Sequence, residues 1–283
     1  MINTWWFNII LYLILFVVFT QSYKVATKSS KNDGALTILL QMLGGLIILL
    51  FVPLFKMQFP SDYRTYLFLG IACIFYAIAD RVNTTARRGL DVSTYSILGQ
   101  LTTVFLIIFG IVLFKETIIL RKMIGAVLIL LGNVIVLYKK GKFEFNKYVI
   151  LSIIGNLAMS IGVSVDVGIS DQFNMPIYIS ATLIVPALMV FLFERAKAKD
   201  VINEYKIGNK KAIYLVGSTW GLMILVMLRA YQFGSVTTIA PIASVTTILN
   251  VFVAYFLLKE KSSLLKKVLA ALIVVLGIIL IKI

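Results

Sequence analysis

Apolar and polar residues follow one another along this chain in long blocks, not at every second or third position. Each apolar block is about 17–25 residues long, the length that an α-helix needs to cross the hydrocarbon core of a bilayer. Short polar connectors separate the blocks. The pattern predicts ten membrane-spanning helices, at residues 4–23, 35–55, 64–86, 92–114, 120–138, 148–169, 175–194, 211–232, 237–258 and 264–282.

The composition supports the same class of protein. Hydrophobic residues make up 60% of the chain and charged residues 14%, whereas soluble domains are about half apolar and a quarter charged. Helices are the expected spanning elements because lipid cannot satisfy backbone N–H and C=O groups. The short alternating segments of a membrane β-barrel are not what the sequence shows. The predicted fold class is an all-α polytopic membrane protein.

Two segments of the chain resemble each other in register. Residues 91–116 read DVSTYSILGQLTTVFLIIFGIVLFKE and residues 235–260 read SVTTIAPIASVTTILNVFVAYFLLKE. With one insertion the match continues, so that the basic pair at 121–122 aligns with 266–267 and Gly132 aligns with Gly277. The identical positions in the first segment are Val92, Thr94, Thr102, Thr103, Leu113, Lys115 and Glu116, which match Val236, Thr238, Thr246, Thr247, Leu257, Lys259 and Glu260.

This repeat predicts two five-helix units, residues 1–142 and 143–283. A unit with an odd number of spans starts its second copy on the opposite side of the membrane, so the repeats are inverted. Inverted repeats are typical of secondary transporters, whose substrate sites lie near the membrane midplane where the repeats meet.

The net charge of +15 comes mainly from basic residues in the connectors. That distribution indicates membrane topology, with no nucleic-acid partner. Connectors that follow the odd-numbered spans hold 20 Lys and Arg residues against 7 on the side of the termini. The positive-inside rule therefore predicts that both termini lie on the outer side of the cell membrane. The count includes Arg81, Arg87, Arg88 and Arg229. For these four residues the alternative is a position that faces an internal cavity.

Two kinds of chemistry have little support in the residues. The chain contains no histidine, so His-based metal sites, triads and imidazole proton relays are excluded. Its one cysteine, Cys73, forms neither an intrachain disulfide nor a metal site by itself. No cofactor and no metal are predicted. The expected partners are a small-molecule solute and membrane lipids.

The repeated motif resembles a known family. The segments that show the resemblance are LFKETIILRKMIGAVLILLGNVIVL in the first half, LLKEKSSLLKKVLAALIVVLGIILI in the second and RAYQFGSV at 229–236. They resemble the EamA-like branch of the drug/metabolite transporter superfamily, a ten-helix fold with two repeats. The resemblance implies both termini in the cytoplasm, against the charge count. It also implies Gly before the glutamate, where this chain has Lys115 and Lys259.

Lys24 and Asp166 occupy equivalent positions of the two repeats. A cation and an anion so placed are suited to pair with each other or to bind a zwitterion, and Asp166 is also a candidate for proton coupling. The alternative is that Lys24 extends to the membrane surface and that Asp166 belongs to the loop with Asp171.

The third and eighth spans carry further ionisable residues. Arg81 shares a helix face with Thr85 and Arg88, and Arg229 follows a long apolar run. Guanidinium groups that face one cavity would bind a carboxylate or phosphate. Asp80, the neighbour of Arg81, is a second candidate for proton coupling. The alternative is that the arginines lie at the membrane surface and mark its cytoplasmic side.

Polar stripes run along the fourth and ninth spans. Their members are spaced three or four residues apart, which puts each set on one helix face. Hydrogen bonding between helices is the alternative to solute binding. The predicted substrate-binding residues are Lys24, Arg81, Gln100, Thr103, Arg229, Thr247 and Asn250.

These observations predict a secondary transporter of a small anionic or zwitterionic metabolite that works by alternating access. A translocator of a lipid or lipid-linked head group and a drug exporter are alternatives on the same fold. An integral-membrane enzyme and a membrane scaffold that moves no solute are alternatives from other classes, and the prediction is that the protein is not an enzyme.

Overall fold

The computed structural model describes residues 4–112, 115, 117–139, 142–166, 169–234 and 236–282. Within them the regular structure is helical except for a two-stranded ribbon, in which β1 (Tyr138–Lys139) pairs antiparallel with β2 (Lys142–Phe143). The helices are α1 Trp5–Ser29, α2 Asp33–Ile48, α3 Tyr63–Gly89, α4 Val92–Leu98, α5 Leu101–Val112, α6 Leu120–Leu137, α7 Lys147–Asp166, α8 Met175–Phe193, α9 Ala198–Ile207, α10 Lys210–Phe233, α11 Val236–Leu257 and α12 Leu264–Lys282.

Asparagines start three of these helices. Asn32, Asn174 and Asn209 each accept a hydrogen bond at Oδ1 from a backbone N–H three residues later, at 3.0–3.2 Å. Such caps satisfy N–H groups that the first turn of a helix leaves without a partner. A 3₁₀ segment, Leu49–Leu54, continues α2 to the end of the second span, and a second one, Ser170–Gln172, lies in the connection before α8.

The predicted fold class is confirmed. In the described part of the chain, nine helices are long and apolar enough to cross a membrane, and Ile242–Leu257 of α11 is a shorter apolar helix. The protein is therefore an all-α polytopic membrane protein. The helices agree with the ten predicted spans, with α4 and α5 together forming the fourth.

The fourth span is not the continuous helix that the sequence predicted, because it breaks at Gly99 and Gln100. Around the break, backbone N–H groups bond three residues back instead of four, as Gln100 does to Ile97 at 3.2 Å. The side-chain amide of Asn156 on α7 donates to the carbonyl of Leu98 at 3.1 Å. Asn156 thus satisfies a backbone group at the interruption, as buried backbone in a membrane requires.

The most extensive helix contacts join the two halves of the chain. Helix α1 packs on α10, α3 on α7, α6 on α12 and α2 on α8. If each helix is replaced by its equivalent in the other half, the contact of α1 with α10 becomes the contact of α7 with α3. The contacts of α6 with α12 and of α2 with α8 stay the same. The contact pattern therefore has the two-fold pseudosymmetry expected of a repeat, although the proposed boundary between residues 142 and 143 stays a prediction.

Small residues at the crossing of α6 and α12 show that the two helices are antiparallel. A Cβ atom on Gly125 would lie 2.5 Å from the carbonyl oxygen of Gly277, and one on Gly132 would lie 2.9 Å from that of Ala270. As the residue number rises along α6, that of its partner falls along α12. Because α6 and α12 are equivalent helices of the two halves, this crossing has the geometry of an inverted repeat.

Candidate functional site

A cavity of about 670 Å³ lies between helices of both halves. Its volume is within the usual range for small-molecule sites, about 300–1,000 Å³. The polar residues that line it are Tyr12, Gln100, Thr103, Arg121, Lys122, Tyr231, Ser244 and Thr246. Apolar side chains of α1, α5, α10, α11 and α12, together with Ile119, form the rest of the wall.

The cavity is directed to the side of the membrane that holds the chain termini. Ile119, Arg121 and Lys122 at the start of α6 line it together with Leu280 and Ile281 at the end of α12. Both helix ends lie on that side, here called the terminal side. The two cations therefore stand near the entrance, where they would raise the local concentration of anions.

A smaller chamber of about 140 Å³ continues the cavity inward. It shares Phe16 and Gln100 with the larger cavity, and Thr20, Arg87, Tyr95, Ser96, Gly99 and Thr247 complete its lining. No aspartate or glutamate is among the described residues that line either space. The break between α4 and α5 lies at their junction, as interrupted helices do at the binding sites of transporters.

Hydrogen bonds close the opposite side, here called the connector side. Glu260 Oε1 accepts from the backbone N–H of Val92 at 2.6 Å, and its Oε2 accepts from the backbone N–H of Ser93 at 3.2 Å and from the Ser93 hydroxyl. Lys267 Nζ lies 2.8 Å from Asp91 Oδ2 and 3.8 Å from Glu260 Oε2. The Glu260 carboxylate, in the loop between α11 and α12, thus caps the N-terminus of α4, and negative charge is favoured at a helix N-terminus.

Lys24 belongs to the same closed side. It is only 7% exposed, and its Nζ donates to the carbonyls of Arg87 and Arg88 at 2.7 Å and of Leu90 at 2.6 Å. These are the terminal carbonyls of α3, which have no partner within the helix. Lys24 therefore caps α3 and does not extend to the membrane surface, and it lines neither of the two cavities.

Three of the predicted binding residues line the cavity system. Gln100 lies at the junction of the two spaces, Thr103 in the larger one and Thr247 in the chamber. Gln100 Nε2 donates to Thr247 Oγ1 at 3.0 Å, which joins the break between α4 and α5 to α11. Hydrogen bonding between helices, the alternative considered for these stripes, is thus present at the same residues that face the cavity.

Arg81 and Arg229 lie elsewhere. Arg81 forms an ion pair with Glu194, and its Nη1 donates to Thr85 Oγ1 at 2.8 Å. The guanidinium of Arg229 lies 5.2 Å from the ring centroid of Phe55 and 4.9 Å from that of Phe233. Neither residue lines the two cavities, so their role in solute binding stays a prediction.

The remaining candidates are also separate from the cavity system. Asn250 is buried, and its Oδ1 accepts from Gln21 Nε2 at 3.3 Å. Asp80 Oδ2 accepts from Gln41 Nε2 at 2.7 Å and lines another cavity of about 250 Å³. The side chain of Asp166 lies outside the described residues. Proton coupling through Asp80 or Asp166 stays a prediction.

Two residues that shape this site, Arg87 and Asn156, are not among the predicted binding residues. Arg87 adjoins Arg88 at the end of an apolar block and enters the charge count as a connector cation; the alternative given there, a position facing an internal cavity, is the one that the structure shows. Asn156 is one polar residue in a long apolar span and carries no periodic signal. The rotation of α3 and α7 in the bundle, which places these side chains, is not encoded in local spacing.

Comparison with known proteins agrees with the geometry. The model of the EamA-like transporter family matches residues 6–138. The match covers slightly less than half of the chain, and this part of the chain is similar to the EamA-like transporter family. The resemblance predicted from the repeated motif is thereby confirmed, and the EamA-like segment supplies α1 to α6, including Gln100, Thr103 and Arg87.

The fold also matches solved structures, of which 20 chains are similar. One, titled only "Crystal structure of protein", has a TM-score of 0.59 at 12% identity, over 95% of this chain and 93% of that chain. At this identity the likeness concerns the fold alone. No match was found among curated proteins.

Proposed function

We propose that this EamA-like protein is a secondary transporter that moves a small organic anion or zwitterion across the cell membrane by alternating access. The observation that carries the proposal is the cavity of about 670 Å³, which is directed to one side only. The opposite side is closed by contacts of Glu260 and Lys267 with the start of α4. A solute path that is open on one side and closed on the other is what alternating access requires.

The charge around the cavity supports an anionic group in the solute. Arg121 and Lys122 stand at its entrance and Arg87 at its inner end, with no carboxylate among the described lining residues. Transport of this kind needs no bond chemistry, so the proposal is of a transporter and not an enzyme. Membrane lipids and the solute are the partners that it implies.

Uptake into proteoliposomes tests the proposal. The purified protein would be reconstituted and supplied with labelled organic anions, amino acids and organic cations. Replacement of Thr103 by Trp fills the cavity and should lower the uptake rate at least about tenfold, a barrier increase of about 1.4 kcal/mol. Leu276→Trp is the matched control, because Leu276 is 56% exposed on the outside of the bundle and should leave uptake unchanged.

Two results would contradict the proposal: uptake of no solute, or full uptake by Thr103→Trp. Transfer of a fluorescent lipid between leaflets without solute uptake would support a lipid translocator instead.

The orientation follows from the same charge count as before, since the connector side holds most of the Lys and Arg residues. We infer that the connector side is cytoplasmic, whereas the family resemblance implies the reverse. Reporter fusions at the C-terminus, one active only in the cytoplasm and one only outside it, distinguish the two orientations.

A further inference from the structure

The guanidinium of Arg87 is held by three aromatic rings at the inner end of the cavity system. Its Cζ lies 4.1 Å from the ring centroid of Tyr95, 4.6 Å from that of Tyr23 and 5.3 Å from that of Phe19. Cation–π contacts of this kind stabilise the charge and fix the group in place. The Tyr95 hydroxyl also interacts with the guanidinium, but one hydroxyl does not supply acceptors for all five of its N–H donors.

Arg87 differs from the other arginines at this end of α3. Arg81 forms an ion pair with Glu194, and Arg88 forms one with Asp33. Among the described residues, no carboxylate forms an ion pair with Arg87. Asp80 is close enough to interact electrostatically with Arg87 but forms no ion pair with it, and it lines a different cavity. A cation within a membrane-spanning bundle is costly, and one that faces a cavity without a carboxylate in contact with it marks a functional site.

The chamber beside Arg87 has the size and the donors to receive an anion. Its volume of about 140 Å³ is many times the roughly 15 Å³ that holds one water molecule. Ser96 lines this chamber and is 8% exposed, and its Oγ has no hydrogen-bond partner among the described residues. A buried hydroxyl without a partner is rare and needs an explanation. A bound anion would accept from it.

We propose that Arg87 and Ser96 form the binding site for the carboxylate of the transported solute. The guanidinium fork matches the two oxygens of a carboxylate, and one cation balances one negative charge. The rest of the solute lies in the larger cavity against Gln100 and Thr103. Since no described residue of the lining offers a carboxylate for an ammonium group, the solute is an organic anion and not a zwitterion.

This inference rests on the proposed function, but its test is direct binding. Trp220 packs against the rings of Phe19 and Tyr23 at centroid distances of 5.3 and 5.7 Å, so its fluorescence reports on the aromatic cage. The chain has three tryptophans, and replacement of Trp5 and Trp6 by Phe leaves Trp220 alone. The purified protein would be titrated with acetate, lactate, succinate and benzoate, with inorganic phosphate and choline for comparison.

We expect a saturable change in fluorescence with at least one carboxylate. Arg87→Gln should lower the affinity at least about 30-fold, because the anion loses its buried charge partner. Arg88→Gln removes the same charge from the next residue and should change the affinity less than about threefold. Ser96→Ala removes one hydrogen bond to a charged group and should cost about tenfold.

Arg87→Lys keeps the positive charge but removes the forked N–H donors of the guanidinium. If Arg87→Gln does not fold, Arg87→Lys and Ser96→Ala test the inference in its place. The inference is overturned if no carboxylate binds, if only phosphate or choline binds, or if carboxylates bind these variants as tightly as the parent.

Proteoliposomes separate this inference from the proposed function. Carboxylate binding that depends on Arg87, without movement of any solute, refutes transport and leaves the site. Transport of a solute at full rate by Arg87→Gln refutes the site and leaves transport.

Discussion

Lys115 and Lys259 occupy equivalent positions in the two halves, and both have a left-handed backbone. Their φ angles are 53° and 57°, in a region that L-residues other than Gly rarely adopt. The Gly that the family resemblance implies before the glutamate would suit this conformation, since a helix often ends in a residue of this conformation. The repeat thus preserves a backbone conformation, although this chain has lysine at both positions.

The first prediction follows from that conformation. Lys259→Gly should raise the free energy of unfolding by about 0.5–1 kcal/mol, because relief of the left-handed strain exceeds the added entropy of the unfolded chain. Thermal unfolding in detergent would measure it. Lys261→Gly is the control, as a nearby exposed lysine whose φ is not positive. A rise no larger than that of the control would contradict the interpretation.

Lys24 leads to the second prediction at the scale of single residues. Lys24→Met should lower the free energy of unfolding by about 3 kcal/mol, because three buried carbonyls at the end of α3 lose their donor. Lys28, one turn later on α1 and exposed, provides the comparison, and Lys28→Met should change stability by less than about 0.5 kcal/mol. Equal effects of the two variants in a thermal unfolding assay would argue against the capping role.

At the scale of helices, close approach of α6 and α12 depends on glycine. Gly125→Ala should lower stability by about 1–3 kcal/mol, since its Cβ would lie 2.5 Å from the carbonyl oxygen of Gly277. Gly70→Ala is the matched control, because no atom lies within 4 Å of a Cβ placed there. That variant should be neutral or slightly stabilising. If Gly125→Ala were as stable as Gly70→Ala, the crossing would be looser than described.

The helices also show which features the sequence was able to predict. The spans follow from block length, because the bilayer imposes one length on every helix that crosses it. The break at Gly99 depends on Asn156, which comes from a different helix, and no local pattern contains that contact. Likewise, Arg87 and Arg88 have the same chemistry in sequence. Only the rotation of α3 gives Arg88 a carboxylate partner, Asp33, and directs Arg87 to the cavity.

At the scale of the whole molecule, the closed connector side and the cavity lead to a prediction about access. A cysteine at position 244, in a background with Cys73→Ala, should react with a membrane-impermeant maleimide only from the terminal side. Glu260→Gln weakens the cap on α4, and the same cysteine should then also react from the connector side. Labelling of vesicles of known orientation would measure both.

The neighbouring Lys261→Gln serves as the control, because it changes an exposed charge without touching α4. Labelling should remain confined to the terminal side in that variant. If Glu260→Gln also kept one-sided labelling, then Glu260 would not be what holds the connector side closed.

The packing of each half on the other has a consequence for biosynthesis. Helices α1 and α3 leave the ribosome long before α10 and α7, the helices on which they pack most extensively. Until then, the side chains of the first half that end up buried, Lys24 among them, lack their final surroundings. The packing therefore predicts that the native bundle forms only once the second half has been inserted.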